Sequence, residues 1–151
     1  MEISVPKRAV GIDIGAETIK IVELFLDGDR VEWTRRKLVE HHKEPASELT
    51  KAFEDWDWSG VSRAAVTGRM SRQINLPRIP IKQAQAGGFR FLAPGEDPAT
   101  VVSIGSHGFS VLELRASNVE IFRENSRCSQ GTGNFLRQLV ERFELTIDKA
   151  S

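Results

Sequence analysis

Residues Val10–Leu24 read VGIDIGAETIKIVEL, and the fold is decided there. An apolar arm from Val10 to Ile14 runs into Gly15-Ala16-Glu17, and a second arm follows from Thr18 to Leu26. β-Branched residues dominate both arms and favour a pleated, packed surface over a helix. The stretch therefore predicts a strand, a tight turn and a second strand. Gly15 supplies a point where backbone turns sharply or comes close to a ligand. Asp13 breaks the apolar run. An unpaired buried carboxylate is costly, so Asp13 is expected at the strand's end, facing a cation, water or a hydrogen-bond donor. Thr18 and Lys20 are two apart and so share one face of the second strand.

Asp-x-Gly followed by Thr and Lys resembles the first phosphate-binding hairpin of the sugar kinase, Hsp70 and actin superfamily. The resemblance implies that Asp13 acts through a hydrated Mg²⁺. It also implies that the turn and the start of the second strand, Gly15, Ala16, Glu17, Thr18 and Lys20, hold phosphate oxygens of ATP.

Downstream, Asp27-Gly28-Asp29 is a turn signal and Val31–Val39 reads as a third strand. Its basic cluster, Arg35-Arg36-Lys37, fits a solvated sheet edge better than a binding patch. His41-His42 lie in a polar stretch without partners at ligand spacing and are not read as metal ligands. Pro45–Trp56 predicts an amphipathic helix, with Leu49, Ala52, Phe53 and Trp56 on one face. Trp56 and Trp58 are expected in core or rim packing, since no basic groove accompanies them. Arg63–Thr67 predicts a short parallel strand ending at Gly68-Arg69, and strand, helix, strand implies an α/β layer. Pro77 and Pro80 make Asn75–Pro80 irregular. Ile81–Leu92 predicts a helix, weakened by Gly87-Gly88. Ala93–Ala99, APGEDPA, has the composition of a linker.

After that segment the opening recurs. In TVVSIGSHGFSVLEL, Thr100–Leu114, Ser103 lies 90 residues after Asp13, Gly105 lies 90 after Gly15, and Glu113-Leu114 repeats Glu23-Leu24. A fixed offset between two strand-turn-strand units predicts an internally duplicated fold, with units at residues 1–92 and 99–151. Ser103, Gly105 and Ser106 are the second hairpin's phosphate candidates. Ser103 replaces Asp13 and Ser110 replaces Lys20. Serine can donate a hydrogen bond to phosphate but brings no charge for Mg²⁺. His107, at the turn, is read as solvated, and Val119–Glu124 as the unit's third strand.

Asn125–Phe143, NSRCSQGTGNFLRQLVERF, opens polar and glycine-containing. It continues as an apolar stripe at helical spacing: Phe135, Leu136, Leu139, Val140 and Phe143. Backbone amides at such a helix start favour an anion, which adds Gly131, Thr132 and Gly133 to the candidates. Cys-x-x-Gly-Thr-Gly-x-Phe-Leu at Cys128–Leu136, together with the Ile-Gly hairpins and the Val-Thr-Gly step at Val66–Gly68, resembles the BadF/BadG/BcrA/BcrD-type ATPases. These are the activators of 2-hydroxyacyl-CoA dehydratases and benzoyl-CoA reductases.

The resemblance implies an actin-like (ribonuclease H-like) α/β ATPase fold, here one full half plus an incomplete second half. It implies ATP with Mg²⁺, a homodimer sharing one 4Fe–4S cluster, and a dehydratase or reductase partner that receives low-potential electrons. Cys128 maps onto a cluster ligand. Cys128 is also the chain's one cysteine, so a dimer would supply two thiolates where a protein-held cluster wants four. The family's second ligand and its adenine-contacting glycines lie further along than Ser151. The expectation is therefore an N-terminal portion, either a fragment or a reduced relative.

Composition sets the remaining bounds. Twenty-one basic and twenty-one acidic residues cancel, which excludes the positive field of a nucleic-acid binder. No apolar run reaches the roughly 18 residues of a membrane span, and the N-terminus lacks the apolar core of a signal peptide. A lone cysteine excludes an intrachain disulfide and fits a reducing cytoplasm. The leading expectation is an ATP-binding activase. The alternatives are a non-enzymatic scaffold or regulator of the same fold, favoured by Ser103 and the single cysteine, and a small-molecule kinase. The kinase is disfavoured because the second hairpin lacks a base aspartate.

Overall fold

The computed structural model describes residues 7–28, 30–105, 108–116, 118–125 and Arg142. The chain forms two compact units, Met1–Ala84 and Gln85–Ser151.

In the first unit, β1 (Lys7–Ile14) and β2 (Thr18–Asp27) form the antiparallel hairpin, with Asp13 opposite Lys20 and Ile14 opposite Ile19. β3 (Arg30–Glu40) returns antiparallel along β2. α1 (Pro45–Glu54) then crosses over to β4 (Val61–Thr67), which lies parallel to β1, giving the order β3-β2-β1-β4. Period-two alternation buries Val10, Ile12 and Ile14 of β1 and Ile19 and Ile21 of β2 in one core, together with Leu49 and Ala52 of α1, Trp56 and Val66. Each buried isoleucine contributes about 1.5–3 kcal/mol relative to exposure.

The helix ends at Glu54, two residues earlier than its apolar spacing predicts. Trp56 nevertheless enters the core, 3% exposed, while Trp58 stays at the rim. β3 is the edge strand expected from its basic cluster. Arg35 covers the Trp56 ring, its guanidinium carbon 4.3 Å from the ring centroid, and Lys37 pairs with Asp55 at 3.1 Å.

A carboxylate sits inside this packing. Glu23, on β2, is 8% exposed. It accepts hydrogen bonds from Arg8 (2.6 Å), Thr34 Oγ1 (2.9 Å) and the Trp56 indole N–H (3.2 Å). Burial pushes its pKa up. The hydrogen bonds from Arg8 and Thr34, the Arg8 charge and the indole N–H outweigh this, holding it below the usual carboxylate value.

In the second unit, β5 (Ala99–Gly105), β6 (Gly108–Arg115) and β7 (Asn118–Asn125) form an antiparallel meander in the order β5-β6-β7. α2 (Ile81–Leu92), which belongs to this unit from Gln85 onward, carries Ala86 onto Leu112 and Leu114, with Phe89, Val101 and Phe122 packed around them. The duplication extends to register. Ser103 faces Ser110 as Asp13 faces Lys20, and each middle strand shifts register at its own Glu-Leu step, Glu23/Leu24 and Glu113/Leu114. Among the described residues no helix is long and apolar enough to cross a membrane.

Candidate functional site

β1 and β4 run parallel and end together, and the candidate site lies at that end. Asp13 is the penultimate residue of β1, and its side chain is 37% exposed. Its carboxylate accepts a 2.9 Å bond from Lys20 Nζ, directly across the hairpin. So exposed a pair contributes at most about 1 kcal/mol, and either partner can exchange the other for a ligand charge. Asp13 thus lies where the sequence reading puts it, at the strand's end and facing a donor.

The turn between the strands is closed by the Gly15 N–H, which donates to the Thr18 carbonyl at 2.9 Å. This commits the Gly15 amide to the turn itself, so Gly15 serves by its small size. A Cβ there would lie 3.1 Å from the Thr18 carbonyl oxygen. Ala16 and the exposed Glu17 form the tip.

β4 contributes two residues that the sequence reading placed only in a strand-end motif. Thr67 is the cross-strand neighbour of Asp13, and its Oγ1 is buried without a hydrogen-bond partner. Buried hydroxyls are ordinarily paired, so this one marks a place beside the Asp13 strand end for a water or ligand partner. Gly68 follows at φ +93°, and a Cβ on it would stand 2.3 Å from Asp13 Oδ1 and 2.4 Å from the Ile14 carbonyl oxygen. The Met70 N–H donates to that same carbonyl at 3.0 Å, so the chain leaving β4 wraps closely around the end of β1. Nothing larger than glycine fits between the carboxylate and this turn.

These features fit a magnesium-bound phosphate ligand: a half-exposed carboxylate at a strand end, a cation able to leave it, an orphaned hydroxyl beside it and a glycine-lined approach. Among the described residues no group of three or more His, Cys, Asp or Glu side chains forms a protein-only metal cage.

Asp13, Gly15, Ala16, Glu17, Thr18 and Lys20 are thus brought together on one hairpin. Ser103 and Gly105 occupy the corresponding places on the second hairpin, with Ser103 exposed. Ser110, the counterpart of Lys20, is 7% exposed and hydrogen-bonds the Gln85 amide at 3.1–3.2 Å, so this hydroxyl is engaged with α2. Ser106, His107, Cys128, Gly131, Thr132 and Gly133 lie outside the described residues.

The polar context of His41-His42 misleads for His41. It is fully buried, because the chain leaving β3 folds under the Gly15 turn, whereas His42 is exposed. No local pattern signals this. Thr67 and Gly68 could have been singled out, since a Thr-Gly pair at the end of a parallel strand beside an acidic strand is legible as a site edge.

A mixed sheet of this topology, whose antiparallel three-stranded part recurs at a fixed offset and whose first copy bears an acidic strand end above a glycine turn, has the actin-like ATPase fold. The component A of the (R)-2-hydroxyglutaryl-CoA dehydratase of Acidaminococcus fermentans matches 93% of this chain with a TM-score of 0.73 at 22% identity, over 55% of its own length. The activator of the 2-hydroxyisocaproyl-CoA dehydratase from Clostridium difficile, solved with bound ADPNP, matches 92% of this chain and 53% of its own, with a TM-score of 0.70 at 24% identity.

In sequence, the chain is 26% identical over 148 residues to a subunit of the benzoyl-CoA reductase of Thauera aromatica, covering 92% of this chain and 52% of that protein. No family model matches the chain. The chain is thus similar in sequence to a benzoyl-CoA reductase subunit and in fold to dehydratase component A and a dehydratase activator, and it spans about half the length of the curated relatives it matches.

Proposed function

We propose that this chain is the nucleotide-binding portion of an activator of a 2-hydroxyacyl-CoA dehydratase or benzoyl-CoA reductase type enzyme. The observation that carries the reading is the end of β1: Asp13, held by Lys20 and packed so closely by Gly68 that a methyl group would collide with its carboxylate. When bound, Mg-ATP supplies the phosphoryl group whose transfer to water drives the partner reaction. Asp13 would hold the hydrated cation. Lys20 would exchange Asp13 for phosphate oxygens, and Ala16, Glu17 and Thr18 would donate from the turn. The buried Thr67 hydroxyl would hydrogen-bond the ligand or its water.

The electron-transfer part of the reading rests on Cys128. In a homodimer Cys128 would offer one thiolate per chain, two of the four ligands that a protein-held 4Fe–4S cluster wants. A second reading, a non-enzymatic scaffold or regulator of the same fold, is favoured by two observations. Ser103 replaces the second acid, and the neighbouring Ser110 is turned to Gln85.

Calorimetric titration of the full chain with ADPNP, with and without Mg²⁺, tests the first reading. Binding is expected to be weak, with Kd on the order of 0.1–1 mM, and strengthened by Mg²⁺. Asp13→Ala should abolish the Mg²⁺ effect. Binding that is indifferent to Mg²⁺ in the unmodified protein, or the absence of binding, would favour the scaffold.

A further inference from the structure

The imidazole of His41 is the one fully buried titratable group among the described residues that the proposed chemistry leaves unused. It sits immediately after β3, and its polar atoms are all turned toward the ends of the Gly15 turn and of its own loop. The Lys43 N–H donates to Nδ1 at 3.2 Å. A nitrogen that accepts carries no proton, so the neutral ring holds its hydrogen on Nε2. Nε2 lies 3.2 Å from the Gly15 carbonyl oxygen, which can only accept. The tautomer is therefore fixed from both sides, and the ring is a rigid strut between the Lys43 amide and Gly15.

The His41 backbone reinforces the strut. Its N–H donates to the Glu17 carbonyl at 2.9 Å, and its carbonyl accepts from the Glu44 N–H at 2.6 Å. One residue thus grips both shoulders of the Gly15–Glu17 turn. The geometry is reached only because His42 and Lys43 adopt left-handed backbone, φ 45° and 68°, two adjacent non-glycine residues in a region that side chains disfavour. Strain of this kind persists where the surrounding structure over-determines it, and it concentrates at ligand clamps.

We infer that His41 is a positioning residue for the phosphate-binding turn, holding Gly15–Thr18 in its nucleotide-competent conformation through the Nε2–H tautomer. The inference rests on the nucleotide reading above. Histidine suits the task because its two nitrogens are fixed on opposite sides of a planar ring. An asparagine places its amide near the Nδ1 position and reaches only Lys43, whereas a glutamine places an N–H near the Nε2 position and reaches only Gly15.

Two measurements on the full chain test this. Nitrogen-15 NMR of histidine-labelled protein without nucleotide should show His41 as a single neutral Nε2–H tautomer. An Nδ1–H tautomer, or a ring averaging between the two, would overturn the assignment. Mg-ADPNP titration of His41→Gln and His41→Asn should then separate positioning from bulk stability. The asparagine variant is expected to bind about tenfold more weakly than the parent and the glutamine variant within about threefold, at similar melting temperatures. Equal losses in both variants, tracking their melting temperatures, would reduce His41 to a core residue. Should the parent bind no Mg-ADPNP, the nucleotide reading fails. Hydrogen exchange at the Ala16–Thr18 amides then decides the strut by itself, with faster exchange in His41→Asn than in His41→Gln expected, and equal rates refuting it.

Discussion

Replacing Gly68 by alanine adds one methyl group at the tightest point of the candidate site, and the structure fixes what that methyl meets. At φ +93° an L-residue is strained by about 1–2 kcal/mol. The new Cβ would stand 2.3 Å from Asp13 Oδ1, 2.4 Å from the Ile14 carbonyl oxygen and 2.7 Å from its carbonyl carbon. Ile14 is 1% exposed and belongs to the core, so its backbone has nowhere to go. Relieving such overlaps in packed protein typically costs about 1–3 kcal/mol. Together the terms predict a loss of about 2–5 kcal/mol, a large part of the roughly 5–15 kcal/mol that stabilises an ordinary domain.

The atom best able to give is the carboxylate of Asp13, which would swing off its Lys20 partner and away from the cation position. Urea unfolding should show a lower midpoint at unchanged slope, and ADPNP binding should lose its Mg²⁺ dependence. Gly60 is the control. Its φ is +74°, but nothing lies within 4 Å of its Cβ position, so alanine there meets the backbone strain alone. If Gly68→Ala and Gly60→Ala cost the same, the close packing of Gly68 on Asp13 is refuted.

The remaining expectations concern charge and the thiol. The pKa of Glu23 is held below its ordinary value, so its contribution to stability is fully present above the unfolded-state pKa of about 4.3 and is lost as pH falls through the folded value. Glu23→Gln should cost on the order of 1–3 kcal/mol at neutral pH and flatten the acid limb of a plot of urea midpoint against pH. An unchanged limb would place the acid sensitivity elsewhere. For Cys128, one thiolate per chain predicts well under one 4Fe–4S cluster per dimer after anaerobic purification, with ready alkylation. Stoichiometric iron and sulfide with a broad absorbance near 400 nm (roughly where thiolate-ligated clusters absorb) would overturn this.

Much of this protein is legible in its sequence, because the signals are local. Period-two runs of β-branched residues gave both hairpins. The spacing of Leu49, Ala52 and Phe53 gave α1, and apolar composition between Pro80 and Ala93 gave α2 over the residues it occupies. The 90-residue offset gave the duplication down to the strand register, since pairing fixes which residues face each other once the turn is placed. Asp13 was recognisable as a site because a carboxylate in an apolar strand demands an explanation.

Only the tertiary structure decided what meets that carboxylate from outside its own hairpin. The parallel pairing of β4 with β1 sets Thr67 beside Asp13 and leaves its hydroxyl orphaned, and the left-handed Gly68 closes the space. Lys37 and Trp58 sit close to their local expectation, at an edge and a rim. His41 does not. In sequence it stands in a polar run, yet it is buried because the backbone after β3 turns under Gly15, 26 residues earlier in the chain. Burial of a polar side chain depends on which distant groups complete its hydrogen bonds, and no local pattern encodes that pairing.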